Sequence, residues 1–179
     1  MGWRRRWWWI LINRGEIPLT FIMKVQFKKL VEEAVLPYYG SEGAAGLDMT
    51  ATSKFYDEYG NIIYGTGIAG KIPDGYVALL FPRSSNAKKD LILSNCVGVW
   101  DSDYIGEIFF KFKPIPKFSK QENWGEHLIY HKEEFADVYQ VGDRIGQLLI
   151  LPYPQIEPEW AVELPKTTRG NKGWGSTGA

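Results

Sequence analysis

The chain has 179 residues, 45% of them hydrophobic and 15% aromatic, with 21 basic and 21 acidic side chains. That length and apolar content support one domain with a real core and exclude a disordered chain. Balanced charge excludes an overall basic field for a nucleic-acid polymer, and one cysteine with two histidines excludes an intramolecular disulfide and a zinc site of the usual kind.

The chain opens with Arg4-Arg5-Arg6 followed by Trp7-Trp8-Trp9-Ile10-Leu11-Ile12. This apolar run is too short to span a membrane, and no small-residue cleavage site follows it. Met23 begins a more ordinary sequence and reads as the start of the functional chain. Residues 1–22 then form an extension without a role, a peripheral membrane-surface anchor being the alternative. The main domain is expected over 23–165, with an inserted polar loop or hairpin at about 114–136 that holds both histidines, and a C-terminal arm over 166–179. Sparing use of cysteine points to a cytoplasmic setting.

From Met23 the pattern is β. Val25 to Leu30 alternates apolar and polar residues. Pro73-Asp74-Gly75 is a turn signal that opens an apolar run to Phe81. Ser84 to Asp90 has room for one or two helical turns. Leu91 to Leu93, Val97 to Trp100, Ile105 to Phe112 and Arg144 to Leu151 are short β-branched or aromatic runs broken by Gly, Asn or Asp. Short strands at this spacing predict an all-β sandwich or barrel rather than a βαβ fold.

Four internal segments carry chemistry. Ala45-Gly-Leu-Asp-Met-Thr-Ala51 buries Asp48 among apolar neighbours, and a buried carboxylate needs a partner, either a hydrogen-bond donor or a metal-bound water. Phe81-Pro-Arg-Ser-Ser-Asn-Ala87 presents Arg83, Ser84 and Ser85 at a possible helix start, which suits phosphate or, more plainly, a serine N-cap beside a surface arginine. Gly98-Val-Trp-Asp-Ser-Asp-Tyr-Ile-Gly-Glu107 sets Asp101 and Asp103 two residues apart. At a strand end Asp101 can take a proton from water as a general base, and an Asp-rich turn is the plain alternative. Gly142-Asp-Arg-Ile-Gly-Gln-Leu148 carries Gln147 within a strand, where its amide can reach a ligand or simply bond to backbone.

The tail, Arg169-Gly-Asn-Lys-Gly-Trp-Gly-Ser-Thr-Gly178, is too glycine-rich for helix or strand. Glycines admit close approach of backbone N–H groups to phosphate. Arg169 adds a guanidinium fork, Ser176 and Thr177 add hydroxyls, and Trp174 offers a stacking face. By composition alone the segment reads first as a disordered end.

In this order the five segments resemble the five motifs of trimeric dUTPases, over roughly Met23 to Ala179. The resemblance implies a jelly-roll-like β-barrel, a homotrimer whose three shared active sites each borrow a C-terminal arm, and Mg²⁺-dependent hydrolysis of dUTP to dUMP and pyrophosphate. It implies that Asp101 activates the attacking water and that Tyr104 packs under the deoxyribose. Asn95 and the main chain at Val99 and Trp100 would read uracil. Arg83, Ser84, Ser85 and Gln147 would lie on the phosphate side, with Asp48 near metal-bound waters. Arg169, Ser176 and Thr177 would clamp the γ-phosphate, with Trp174 on the base. Trp174 stands for the usual Phe, Trp100 for Ile and Gly146 for Ala, and the 114–136 segment is longer than in a minimal member. The rivals are a dCTP deaminase-like relative, which would lack the Asp-x-Asp-Tyr segment, and a regulatory nucleotide-binding trimer.

Overall fold

The computed structural model describes residues 22–115, 117–124, 127–133 and 137–173, the segment 117–133 by its backbone alone. Twelve strands follow in chain order: β1 (Gln26–Lys29), β2 (Tyr38–Tyr39), β3 (Leu47–Thr50), β4 (Ser53–Tyr56), β5 (Ile62–Lys71), β6 (Tyr76–Pro82), β7 (Leu91–Leu93), β8 (Gly98–Trp100), β9 (Glu107–Pro114), β10 (Lys117–Trp124), β11 (His127–Glu133) and β12 (Arg144–Pro152). One 3-10 turn, Ser84–Lys88, follows β6.

Strands β10 and β11 pair with each other, and the other ten form two five-stranded sheets. One runs β1-β5-β9-β7 with β4 also paired to β5, and the other runs β2-β3-β12-β6-β8. Every pairing is antiparallel. The sheets do not close into one continuous barrel, so the expected barrel is realised as a jelly-roll-like sandwich. Period-two alternation builds its core. In β9, Ile108, Phe110 and Phe112 are buried while Phe109, Lys111 and Lys113 point outward. Ile62, Tyr64, Met49, Ile145 and Leu148 meet them from the other strands. Each such buried side chain contributes about 1.5–3 kcal/mol of transfer free energy.

The longest strand is one the sequence pattern hides. β5 is buried almost throughout, yet Gly65, Gly67 and Gly70 punctuate it like a loop. Gly70 must lack a side chain because a Cβ there would stand 2.9 Å from both Gln26 O and Trp100 Cη2. The unusual Trp100, 3% exposed, thereby finds its space.

The insert is an antiparallel hairpin, β10 against β11, with Trp124 opposite His127. Its feet are tied to the start of β7. Asp90 N–H donates to Asp137 O at 3.0 Å, and Asp137 N–H donates to the Asp90 carboxylate at 2.7 Å. Among the described residues, no helix is long and apolar enough to cross a membrane.

Candidate functional site

The two edge strands β7 and β8 belong to different sheets, so the segment joining them crosses from one layer to the other. That crossing is the tight turn Ser94–Val97. Cys96 N–H donates to Leu93 O at 2.9 Å, and Cys96 has φ 59°, the left-handed region that few non-glycine residues enter. Asn95 is exposed on the turn. Gly98 follows with no side chain, and a Cβ there would lie 3.0 Å from Leu80 Cβ and 3.4 Å from Asn95 Nδ2. Val99 is 62% exposed and its neighbour Trp100 is buried. The result is an open polar edge made of the Asn95 amide and the main chain of β8.

The Asp101–Gly106 loop then leads from β8 to β9. Tyr104 is tied down along its length. Its N–H donates to Asp101 O at 3.2 Å, its carbonyl accepts from Trp100 Nε1 at 2.8 Å, and its hydroxyl donates to Glu107 O at 2.8 Å. Its ring lies against Gly106, where a Cβ would sit 2.5 Å from the hydroxyl oxygen and 2.7 Å from Cζ. Tyr104 is nevertheless 49% exposed, a fixed aromatic surface open to a ligand. Asp101 is exposed, and among the described residues its carboxylate has no hydrogen-bond or ion-pair partner. The loop is therefore more than an Asp-rich turn, because its bonds hold the tyrosine and leave the acid free.

A second cluster forms where β3, β6 and β12 meet. Asp48, 8% exposed, accepts from Arg83 Nε at 2.9 Å on one oxygen and from an Arg144 terminal nitrogen at 2.8 Å on the other. Of the two partners open to Asp48 from sequence, the structure supplies the hydrogen-bond donor, twice. Gln147 is directly opposite Asp48 in the ladder and donates from Nε2 to Pro82 O at 3.3 Å. The serine N-cap alternative does not hold, since Arg83 itself occupies the cap position and no side chain caps the turn. Ser84 is exposed, and Ser85 Oγ is buried without a partner among the described residues.

The two clusters do not meet within one chain. β6 and β8 are antiparallel with Leu80 opposite Gly98 and Ala78 opposite Trp100. Arg83 therefore lies beyond one end of β6 and Asp101 beside the other, roughly 20 Å apart at about 3.3 Å per residue. After β12 the chain runs extended and exposed, with Ile156 82%, Trp160 101%, Val162 103% and Leu164 83% exposed. Arg169 is exposed in a local turn, its Nε donating to Lys172 O at 3.0 Å. Trp174, Ser176 and Thr177 lie outside the described residues.

The family model described as dUTPase matches residues 32–116. A deoxyuridine 5'-triphosphate nucleotidohydrolase of Hydrogenobaculum sp. is 34% identical over 159 residues, 87% of this chain and 99% of its own length. The chain belongs to the dUTPase family. Among solved structures, a dUTPase of Staphylococcus bacteriophage 80alpha with dUPNHPP superposes with a TM-score of 0.69 at 26% identity, over 87% of this chain and 99% of that one. A D95N mutant dUTPase from phage phi11 of S. aureus, described with a structural Mg(II) ion, matches the fold with a TM-score of 0.60 at 23% identity, over 80% and 100% of the two chains.

Sequence reading of this dUTPase missed Arg144, although it lies within the fourth motif-like segment. Its link to Asp48 depends on a register shift between Arg144 and Gly146 that no local pattern announces. Glu107 was likewise passed over as the last residue of its segment.

Proposed function

We propose that the chain hydrolyses dUTP to dUMP and pyrophosphate. The observation that carries this reading is the free, exposed carboxylate of Asp101 beside Tyr104, which is held through its N–H, its carbonyl and its hydroxyl. Asp101 accepts the proton of a water as that water attacks the α-phosphorus, and pyrophosphate leaves. The Tyr104 face lies under the sugar and leaves no room for a 2′-hydroxyl. The Asn95 amide and the main chain of Val99 and Trp100 pair with uracil, whose O4 accepts where the amino group of cytosine donates. A mismatched base leaves buried polar groups unpaired, so discrimination is large. The intact Asp-x-Asp-Tyr loop speaks against the deaminase rival.

Arg83, Ser84, Ser85 and Gln147 take the phosphates, with Arg169, Ser176 and Thr177 of the arm on the γ-phosphate and Trp174 on the base. The orphaned hydroxyl of Ser85 is consistent with a group reserved for ligand or partner. Arg83 arrives prealigned by Asp48, which reduces what binding must order.

The distance of roughly 20 Å between Asp101 and Arg83 exceeds what one triphosphate can bridge. A homotrimer in which one subunit supplies the Asp101 loop, a second the Arg83 cluster and an arm comes from a neighbour removes the difficulty. The exposed apolar side chains between Ile156 and Leu164, just ahead of the arm, support the same arrangement. The free Cys96 thiol fits a cytoplasmic reaction.

Mg²⁺ is the proposed cofactor. Among the described residues no group of three His, Cys, Asp or Glu side chains is placed to hold a metal, which suits an ion that keeps its waters and rides on substrate phosphates. Bound there, Mg²⁺ supplies orientation of the phosphate chain and neutralisation of developing charge. A carboxylate has about four acceptor sites, so Asp48 retains capacity for a metal-bound water after both arginines are served.

Asp101→Asn tests the assignment. It should lower kcat by about a factor of 10² to 10⁴ while dUTP still binds. A folded variant with normal turnover would contradict the role.

A further inference from the structure

We infer that Glu107 is a positioning residue that sets Tyr104, and through it the preference for a 2′-deoxy sugar. The inference rests on the reading of Tyr104 as the floor of the sugar site.

The ladder between β5 and β9 is broken. Gly65 is opposite Phe109 and Ala69 is opposite Glu107, so Thr66, Gly67 and Ile68 bulge out of register. Gly67 sits at the bend with φ 64°. A bulge leaves ladder groups without strand partners, and several of them are taken up separately here. The Thr66 hydroxyl donates to Ile108 O at 2.8 Å. Gly65 O accepts from Thr52 N–H, and Gly67 O accepts from Leu30 N–H, both at 2.8 Å. The Gly67 N–H is left to the Glu107 carboxylate, which accepts it at 2.8 Å. A hydrogen bond to an ionised acceptor is roughly twice as strong as a neutral one.

Glu107 therefore acts in two directions. Its side chain closes the bulge in β5, and its main-chain carbonyl accepts the Tyr104 hydroxyl at 2.8 Å. The space it occupies is reserved, since a Cβ on Gly65 would stand 2.7 Å from Glu107 Oε1 and 3.1 Å from Phe109 Cε1. Without the carboxylate, the Gly67 amide loses its acceptor and the first residue of β9 keeps only its main-chain pairing with Ala69. The carbonyl that pins the tyrosine is then less firmly set. A half-exposed aromatic ring held at only one end is a poor sieve for one oxygen atom, because its selectivity depends on the ring staying in place.

The experiment compares kcat/KM for dUTP and UTP in trimeric enzyme carrying Glu107→Ala, Glu107→Gln, Tyr104→Phe, or Glu107→Ala with Tyr104→Phe, alongside amide exchange at Gly67. Glu107→Ala should lower the dUTP-over-UTP ratio by about tenfold and speed exchange at Gly67. Glu107→Gln retains an oxygen acceptor and should restore both. Tyr104→Phe cuts the same link from the other end, so the double variant should lose little beyond either single one. An unchanged ratio in folded Glu107→Ala, or losses that add, would overturn the inference. Should the alanine variant not fold, Glu107→Asp, with its carboxylate drawn back by one methylene, carries the same expectation. Tyr104→Ala separates the two levels: if it leaves the ratio unchanged, the sugar-floor reading itself fails.

Discussion

The ring of Phe110 lies where a side chain on residue 146 would begin. A Cβ on Gly146 would meet Cε1 of that ring, with Cζ at 2.5 Å and Cδ1 at 2.8 Å. Phe110 is 1% exposed and lies nearly parallel to Phe112, at 13°, so it has no open side into which to retreat. The glycine that departs from the alanine typical of this family is thus paired with a large aromatic on the facing sheet.

Gly146→Ala should therefore destabilise the protein by about 1–3 kcal/mol, the usual cost of overpacking a filled core. Phe110→Leu in the same chain should recover part of that loss. Chemical denaturation of the three variants measures both, and full additivity would show that the pair is not coupled.

Asp48 holds two guanidinium groups, so its removal affects both fold and site. Asp48→Ala leaves Arg83 and Arg144 facing each other without an anion. The Arg144 side chain is 43% exposed, so water screens part of the cost, and about 1–3 kcal/mol of destabilisation is expected rather than the full penalty of a buried charge. Because Arg83 also loses its alignment, KM for dUTP should rise by about tenfold. Steady-state kinetics with a thermal melt checks both, and an unchanged KM would detach Asp48 from the phosphate side.

Acid sensitivity should centre on Asp57, whose partner Asn61 also accepts from the Ser94 hydroxyl at 3.4 Å, next to Asn95. Its carboxylate accepts from the Asn61 side chain at 2.9 Å, from Asn61 N–H at 2.9 Å and from Tyr59 N–H at 3.0 Å, and it pairs with Lys111 at 3.1 Å. These contacts, the Asn61 side chain foremost, hold its pKa at about 2 against an ordinary 3.8. A lowered folded-state pKa means that the unfolded chain binds the proton first as pH falls. The stabilisation is complete above pH 3.8 and is lost as pH drops toward about 2. Asp57→Asn should flatten the acid limb of the stability curve across that window. A carboxyl titration by NMR reads the pKa directly, and an ordinary value would remove the effect.

Much of the fold was legible wherever a strand is half-buried and bounded by turn residues. Leu91–Leu93 was read at its observed limits and Arg144–Leu151 to within one residue, because both are apolar runs bounded by turn residues such as Asp, Ser, Gly and Pro. β5 was not legible. Its glycines serve a bulge and close packing against Trp100 and Glu107, and such needs come from partners distant in sequence. At the candidate site the same division holds. Asp101 and Tyr104 share one short loop and stand out locally. The pairing of Asp48 with Arg83 and Arg144 joins three strands, and Glu107 acts through a bulge about 40 residues earlier in the chain.

The most direct measurement is pyrophosphate release from dUTP, dCTP, dTTP and UTP by the purified protein with Mg²⁺. The account predicts rapid release from dUTP alone, with the other three slower by orders of magnitude. Ammonia release from dCTP, or equal turnover of UTP and dUTP, would contradict it.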